Sequence, residues 1–174
     1  MTKAAGTRQA LGISIHTGWG ASVLVAGTPE KPEILANERI RILGDDERFC
    51  FHMAAEMKRP AAEQWLAKLR KKAIANAREA LAPLTANAKA CALVAKPGDP
   101  GPLDRVLAAH PRIHTAEGCF YRDVLAEACP IPVRIVPPKT LDDSKVGKIA
   151  PAPWGRDQRL AALAAWAVLG GNKR

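Results

Sequence analysis

The residues best placed to do chemistry fall into four small groups. His114-Thr115-Ala116-Glu117-Gly118 sets an imidazole one helical turn from a carboxylate. Histidine changes charge near neutral pH, so the pair suits proton transfer or anion binding. His16-Thr17-Gly18-Trp19-Gly20 places a second histidine beside two glycines, which let a ligand approach the backbone closely. Arg48, His52 and Glu56 recur every four residues, the spacing of one helical face, where His52 and Glu56 could share a metal or a proton. Asp157 opens the last apolar segment and is a further candidate acid. Each group also has a plain structural account. Thr115 is a good helix cap, Gly18 suits a tight hairpin, the 48/52/56 series suits an ion-pair ladder, and Asp157 suits a helix macrodipole.

Cations form a fifth group. Lys68, Lys71, Lys72 and Arg78 share one face of a long amphipathic segment, and Lys96 and Lys139 follow two short apolar runs. With a net charge of +9, these residues suit a polyanionic partner, most simply nucleic acid. Stacking platforms are few: Trp19, Tyr121 and Trp154. Cys50, Cys91, Cys119 and Cys129 contain no CxxC pair, so a zinc ribbon or redox motif is not indicated, and buried free thiols are expected.

The elements that must position these groups follow from periodicity. Leu11–His16, Ala21–Ala26 and Glu33–Leu43 read as three strands joined by short spacers, an antiparallel meander. Asp45 or Asp46 is expected to cap a short helix through Met57, and Pro60 suits the first turn of a long helix over 61–84. Cys91–Lys96 is a buried strand, Pro102–His110 a short helix stopped by Pro111, and Arg112–His114 a short strand. Thr115 then caps a helix through Cys129. Val133–Val136 is the last strand, a long loop runs from Lys139 to Trp154, and Arg156–Leu169 is the closing helix, stopped by Gly170-Gly171. On this reading His114 sits where a strand hands over to a helix N-terminus. Lys96 and Lys139 border the same edge and make it cationic.

The 174 residues suit one domain spanning 1–174 with residues 1–10 frayed. Hydrophobic content is 48% with only 5% aromatic, much of it alanine, which favours helices packed closely on a sheet over an all-β sandwich. No apolar run reaches the ~18 residues of a membrane helix and no signal-peptide run opens the chain. A cytoplasmic protein without membrane contact is expected, and a homodimer is an allowed arrangement.

The order β-β-β-α-β-α-β-α, with Gly12–His16 in the opening strand, resembles the RNase H-like superfamily, and in it the RuvC/YqgF-type resolvase branch. The local pattern carrying the resemblance runs from Glu117-Gly118 and Tyr121-Arg122 through Ile131-Pro132-Val133 to Val136-Pro137-Pro138-Lys139. A basic loop ending Lys145-Val146-Gly147 and a helix beginning Asp157-Gln158 follow. The resemblance implies an α/β fold with a mixed sheet, a three-strand meander followed by parallel strands, and helices on both faces. It also implies a nuclease using two Mg²⁺ ions held by carboxylates. Here the first strand offers Ser14 where an aspartate is needed, Cys91–Lys96 contains no acid, and Leu160 stands one turn beyond Asp157. The expectation is a nucleic-acid-binding RuvC-like domain with degenerate carboxylates, with Mg²⁺ only if a nuclease centre survives. Two alternatives stand beside it. One is an enzyme with a relocated site built from His114, Glu117 and either His16 or His52. The other is a translation-associated module, since the middle domains of release factors have a related α/β layout.

Overall fold

The computed structural model describes residues 8–149 and 153–170. Strand β1 (Gln9–His16) shows how the fold is specified. Ala10, Gly12 and Ser14 alternate with Leu11 and Ile13, and all five are buried, so the strand is covered on both faces. It lies at the centre of a five-stranded sheet ordered β3-β2-β1-β4-β5. β2 (Trp19–Gly27) pairs antiparallel with β1, and β3 (Pro32–Arg41) antiparallel with β2. β4 (Ala90–Val94) and β5 (Val133–Val136) then add in parallel.

The small and large faces of β1 receive different helices. Leu11 and Ile13 pack with Leu69 and Leu81 of α2 (Arg59–Thr85) and with Phe120, Val124 and Leu125 of α4 (His110–Ala128). On the other face Ala10, Val23 and Val25 meet Ala161, Leu163 and Trp166 of α5 (Arg156–Val168). Ala164 of the same helix reaches Ala92 and Val94. The alanine-rich α5 comes so close to β1 that a Cβ on Gly12 would lie 1.9 Å from the Ala161 carbonyl oxygen. The mixed sheet with helices on both faces is the architecture the element order implies. No helix among the described residues is long and apolar enough to cross a membrane.

Several local expectations are corrected. Gln9 and Ala10 belong to β1, with Ala10 buried against α5, whereas fraying was expected over 1–10; residues 1–7 lie outside the described residues. Helix α1 (Cys50–Ala55) begins after Phe49 with no side-chain cap, so neither Asp45 nor Asp46 caps it. The short helix α3 (Leu103–Leu107) ends before Pro111, and that proline lies in the first turn of α4, where its missing N–H costs nothing. Arg112–His114 is therefore helix rather than strand. Thr115 is not a cap, and its Oγ1 donates to the Pro111 carbonyl one turn back. The segment after β5 is tighter than a loose loop, with 3₁₀ turns at Pro138–Thr140 and Asp143–Lys148.

All four cysteines are free, three of them buried. The Cys91 thiol beside Cys129 holds Cys129 below the ordinary thiol range. Cys129 is also the one with partial solvent access. Limiting iodoacetamide is expected to label Cys129 first, read by peptide mass spectrometry; equal labelling of all four would contradict this assignment.

Candidate functional site

Two polar clusters flank the carboxyl ends of β1 and β4. The first joins residues far apart in sequence. α5 begins after Gly155, whose N–H donates to Gln158 Oε1 at 2.8 Å, and this turn brings Asp157 over the end of β1. Ser14 Oγ donates to Asp157 Oδ1 at 3.2 Å. His16 Nε2 lies 2.8 Å from the same oxygen but off the line of an aligned hydrogen bond. The His16 ring stacks on Trp19 with centroids 4.3 Å apart and planes 5° from parallel. Arg39 covers Trp19 with its guanidinium carbon 3.9 Å from the ring centroid. Thr17-Gly18 forms a tight two-residue hairpin with Gly18 at φ +86°, and its carbonyl receives the N–H groups of Ile42 and Leu43. In the strand register Ser14 is paired with Val94 of β4.

The second cluster lies on the α2/α4 side. Glu117 is 1% exposed and two turns into α4. Its Oε1 lies 2.8 Å from His52 Nδ1 and also accepts the His52 backbone N–H at 3.4 Å. His52 is thus paired with Glu117. Arg48 precedes α1 and pairs with Asp45 at 3.5 Å, and Glu56 follows α1, so the expected 48/52/56 ladder does not form. His110 and His114, one turn apart on α4, complete the group. The centroid of His114 is 4.8 Å from that of His52 and 4.5 Å from that of His110. Burial and then the Glu117 carboxylate push the Cys50 thiol up to about 12, so it stays neutral beneath the cluster. Burial likewise raises Tyr121, whose hydroxyl donates to the Arg48 carbonyl at 2.6 Å.

A cleft of about 450 Å³ separates the two clusters, lined by His16, Thr17, Lys96, His114, Thr115 and Cys119 among others. Beside it, a hollow of about 500 Å³ is lined by Lys96, Lys139 and Arg156 together with prolines 97, 137 and 138. Lys96 and Lys139 therefore do border one edge. On α2, Lys68, Lys71 and Arg78 stand exposed, while Lys72 Nζ is held 2.6 Å from Glu47.

Sequence reading places His114, Glu117 and His16 near the sheet edge and Asp157 at the start of the closing helix, but misses His110, Arg39 and Arg156. On the sequence, His110 reads as the last residue of a helix stopped by proline. The four-residue spacing His110–His114 was the available signal, since it puts both rings on one helical face.

No family model matches the sequence, and no curated protein matches it either. The fold does have solved neighbours. RuvC of Thermus thermophilus in complex with Holliday junction substrate aligns with a TM-score of 0.55 at 12% identity, covering 94% of this chain and 97% of that one. A second Thermus thermophilus RuvC structure covers 94% and 95% at 12% identity, with a TM-score of 0.49. The first of these, together with the strand order and the helices on both faces, shows an RNase H-like fold similar to that of RuvC.

Proposed function

We propose that this chain binds nucleic acid along the carboxyl edge of its sheet and does not cut it by a two-metal route. The observation that carries the reading is the convergence of Lys96, Lys139 and Arg156 on one hollow at that edge. A net charge of +9 supports it, as does the shared fold with a RuvC captured on a Holliday junction substrate. The residues at the end of β1 do not fit a pair of Mg²⁺ ions. Ser14 offers a hydroxyl where a carboxylate would bridge two hard cations, and its register partner is the apolar Val94. Asp157 is already engaged with Ser14 and His16.

Three phosphate contacts predict a salt slope of about −2.7, a loss of roughly 40-fold in affinity between 50 and 200 mM salt. Fluorescence anisotropy with a labelled four-way junction, duplex and single strand measures this directly. Lys96→Glu with Lys139→Glu is expected to weaken binding at least 10-fold and to lower the slope. Lys68→Glu with Lys71→Glu reports on the α2 face, and Lys72 is left alone because of its pairing with Glu47. Unchanged affinity in the Lys96/Lys139 double variant would overturn the reading. So would junction cleavage with Mg²⁺ or Mn²⁺ that Asp157→Asn abolishes.

A further inference from the structure

We infer that His52, His110 and His114 form a binding site for one divalent transition metal of the zinc class, with Glu117 as the outer carboxylate that orients His52. The chain has four histidines, and three of them meet here although they come from two helices. One ring nitrogen from each lies within 4.8 Å of the other two.

The His52–His110 separation suits a metal better than it suits a hydrogen bond. His52 Nε2 and His110 Nε2 are 3.4 Å apart, beyond the usual range for an N–H donor and its acceptor. Two nitrogens on a tetrahedral zinc, each about 2.05 Å from the ion, are about 3.3 Å apart.

Glu117 supplies the second, independent argument. A carboxylate buried to this degree is costly unless it is compensated. Among the described residues the basic side chain within ion-pairing distance of it is His52. With Oε1 at 2.8 Å from Nδ1, the proton belongs on Nδ1, which leaves the Nε2 lone pair facing His110 and His114. A carboxylate on one ring nitrogen and a metal on the other is the usual outer-shell arrangement for a ligating histidine. A cation on Nε2 would also neutralise the buried charge through the ring.

Three neutral nitrogen donors select zinc, cobalt, nickel or copper over magnesium and calcium, which prefer oxygen. Three protein ligands leave a fourth position. Because His110 and His114 are exposed and His114 also lines the cleft, that position is open to water or to an anionic oxygen such as phosphate. This inference is independent of nucleic-acid binding.

The test uses untagged, chelator-treated full chain, titrated with Zn²⁺ by calorimetry and with Co²⁺ by visible absorption. One equivalent is expected to bind, with the strong bands of tetrahedral Co²⁺ and no response to Mg²⁺ at the same concentration. Glu117→Gln should weaken binding by about 10- to 100-fold, and His110→Ala or His114→Ala by more. His16→Ala, which removes the one histidine outside the cluster, should leave affinity unchanged. His110 and His114 are exposed, so their variants stay folded by circular dichroism and keep the experiment interpretable. Absence of one-to-one binding would overturn the site. So would affinity retained in the His110→Ala/His114→Ala double variant, or affinity lost only with Cys129→Ser.

Discussion

Gly12→Ala is expected to destabilise the protein by about 3 kcal/mol, the upper part of the usual range for overpacking. A single methyl group produces so large an effect because of what it meets. The new Cβ would lie 1.9 Å from the Ala161 carbonyl oxygen and 2.9 Å from the Ala165 nitrogen. Both are backbone atoms, so no side chain can swing aside and α5 must retreat as a unit. Its retreat would loosen Leu163 and Trp166 from Val23 and Val25. It would also draw Asp157 away from Ser14 and His16. At about 2–4 °C per kcal/mol for a chain of this size, the melting temperature should fall by roughly 6–12 °C. Urea denaturation monitored by circular dichroism measures the change, and wild-type stability in Gly12→Ala would refute the close approach of α5.

His52→Ala should cost a similar amount in metal-free protein, about 3 kcal/mol, by leaving the Glu117 carboxylate buried without its partner. The figure is taken at the low end of the range for broken buried pairs because the His52 side chain is 29% exposed and water can reach part of the gap. The informative measurement is the double variant. Adding Glu117→Leu removes the stranded charge and should restore most of the loss, giving a coupling energy well above 1 kcal/mol in a double-mutant cycle. If the two substitutions simply add, the pair is not coupled and Glu117 is satisfied by other groups. Melts in the presence of a chelator keep metal binding out of the comparison.

Much of the scaffold is legible in the residues themselves. Leu11–His16, Val133–Val136, the helix containing residues 61–84 and the helix from Arg156 each follow from periodicity plus a clear punctuation mark. The abundance of alanine correctly points to close helix-on-sheet packing, and Ala161, Ala162, Ala164 and Ala165 are all fully buried. Proline is where local reading divides. Pro60 and Pro111 both sit in the first turn of a helix that follows a short helix, so locally each reads equally well as a start or as a stop. That one ambiguity displaces the cap of α4 by six residues, from Ala109 to Thr115. It turned His114 into a strand end and hid His110. The pairing of His52 with Glu117 is illegible for a different reason: the two are 65 residues apart and meet only because α1 and α4 pack together.

The covering of β1 by α5 also bears on how the chain is made. Ser14 and Asp157 are separated by 143 positions, and α5 follows every strand of the sheet. At 5–20 residues per second, a ribosome needs about 7–29 s to go from one to the other. During that interval the α2/α4 side of the sheet can assemble, while Val23, Val25, Ala92 and Val94 have no helix over them. A nascent chain stalled before Arg156 would therefore present a flat apolar sheet face. Such a face is prone to aggregation until α5 emerges and covers it.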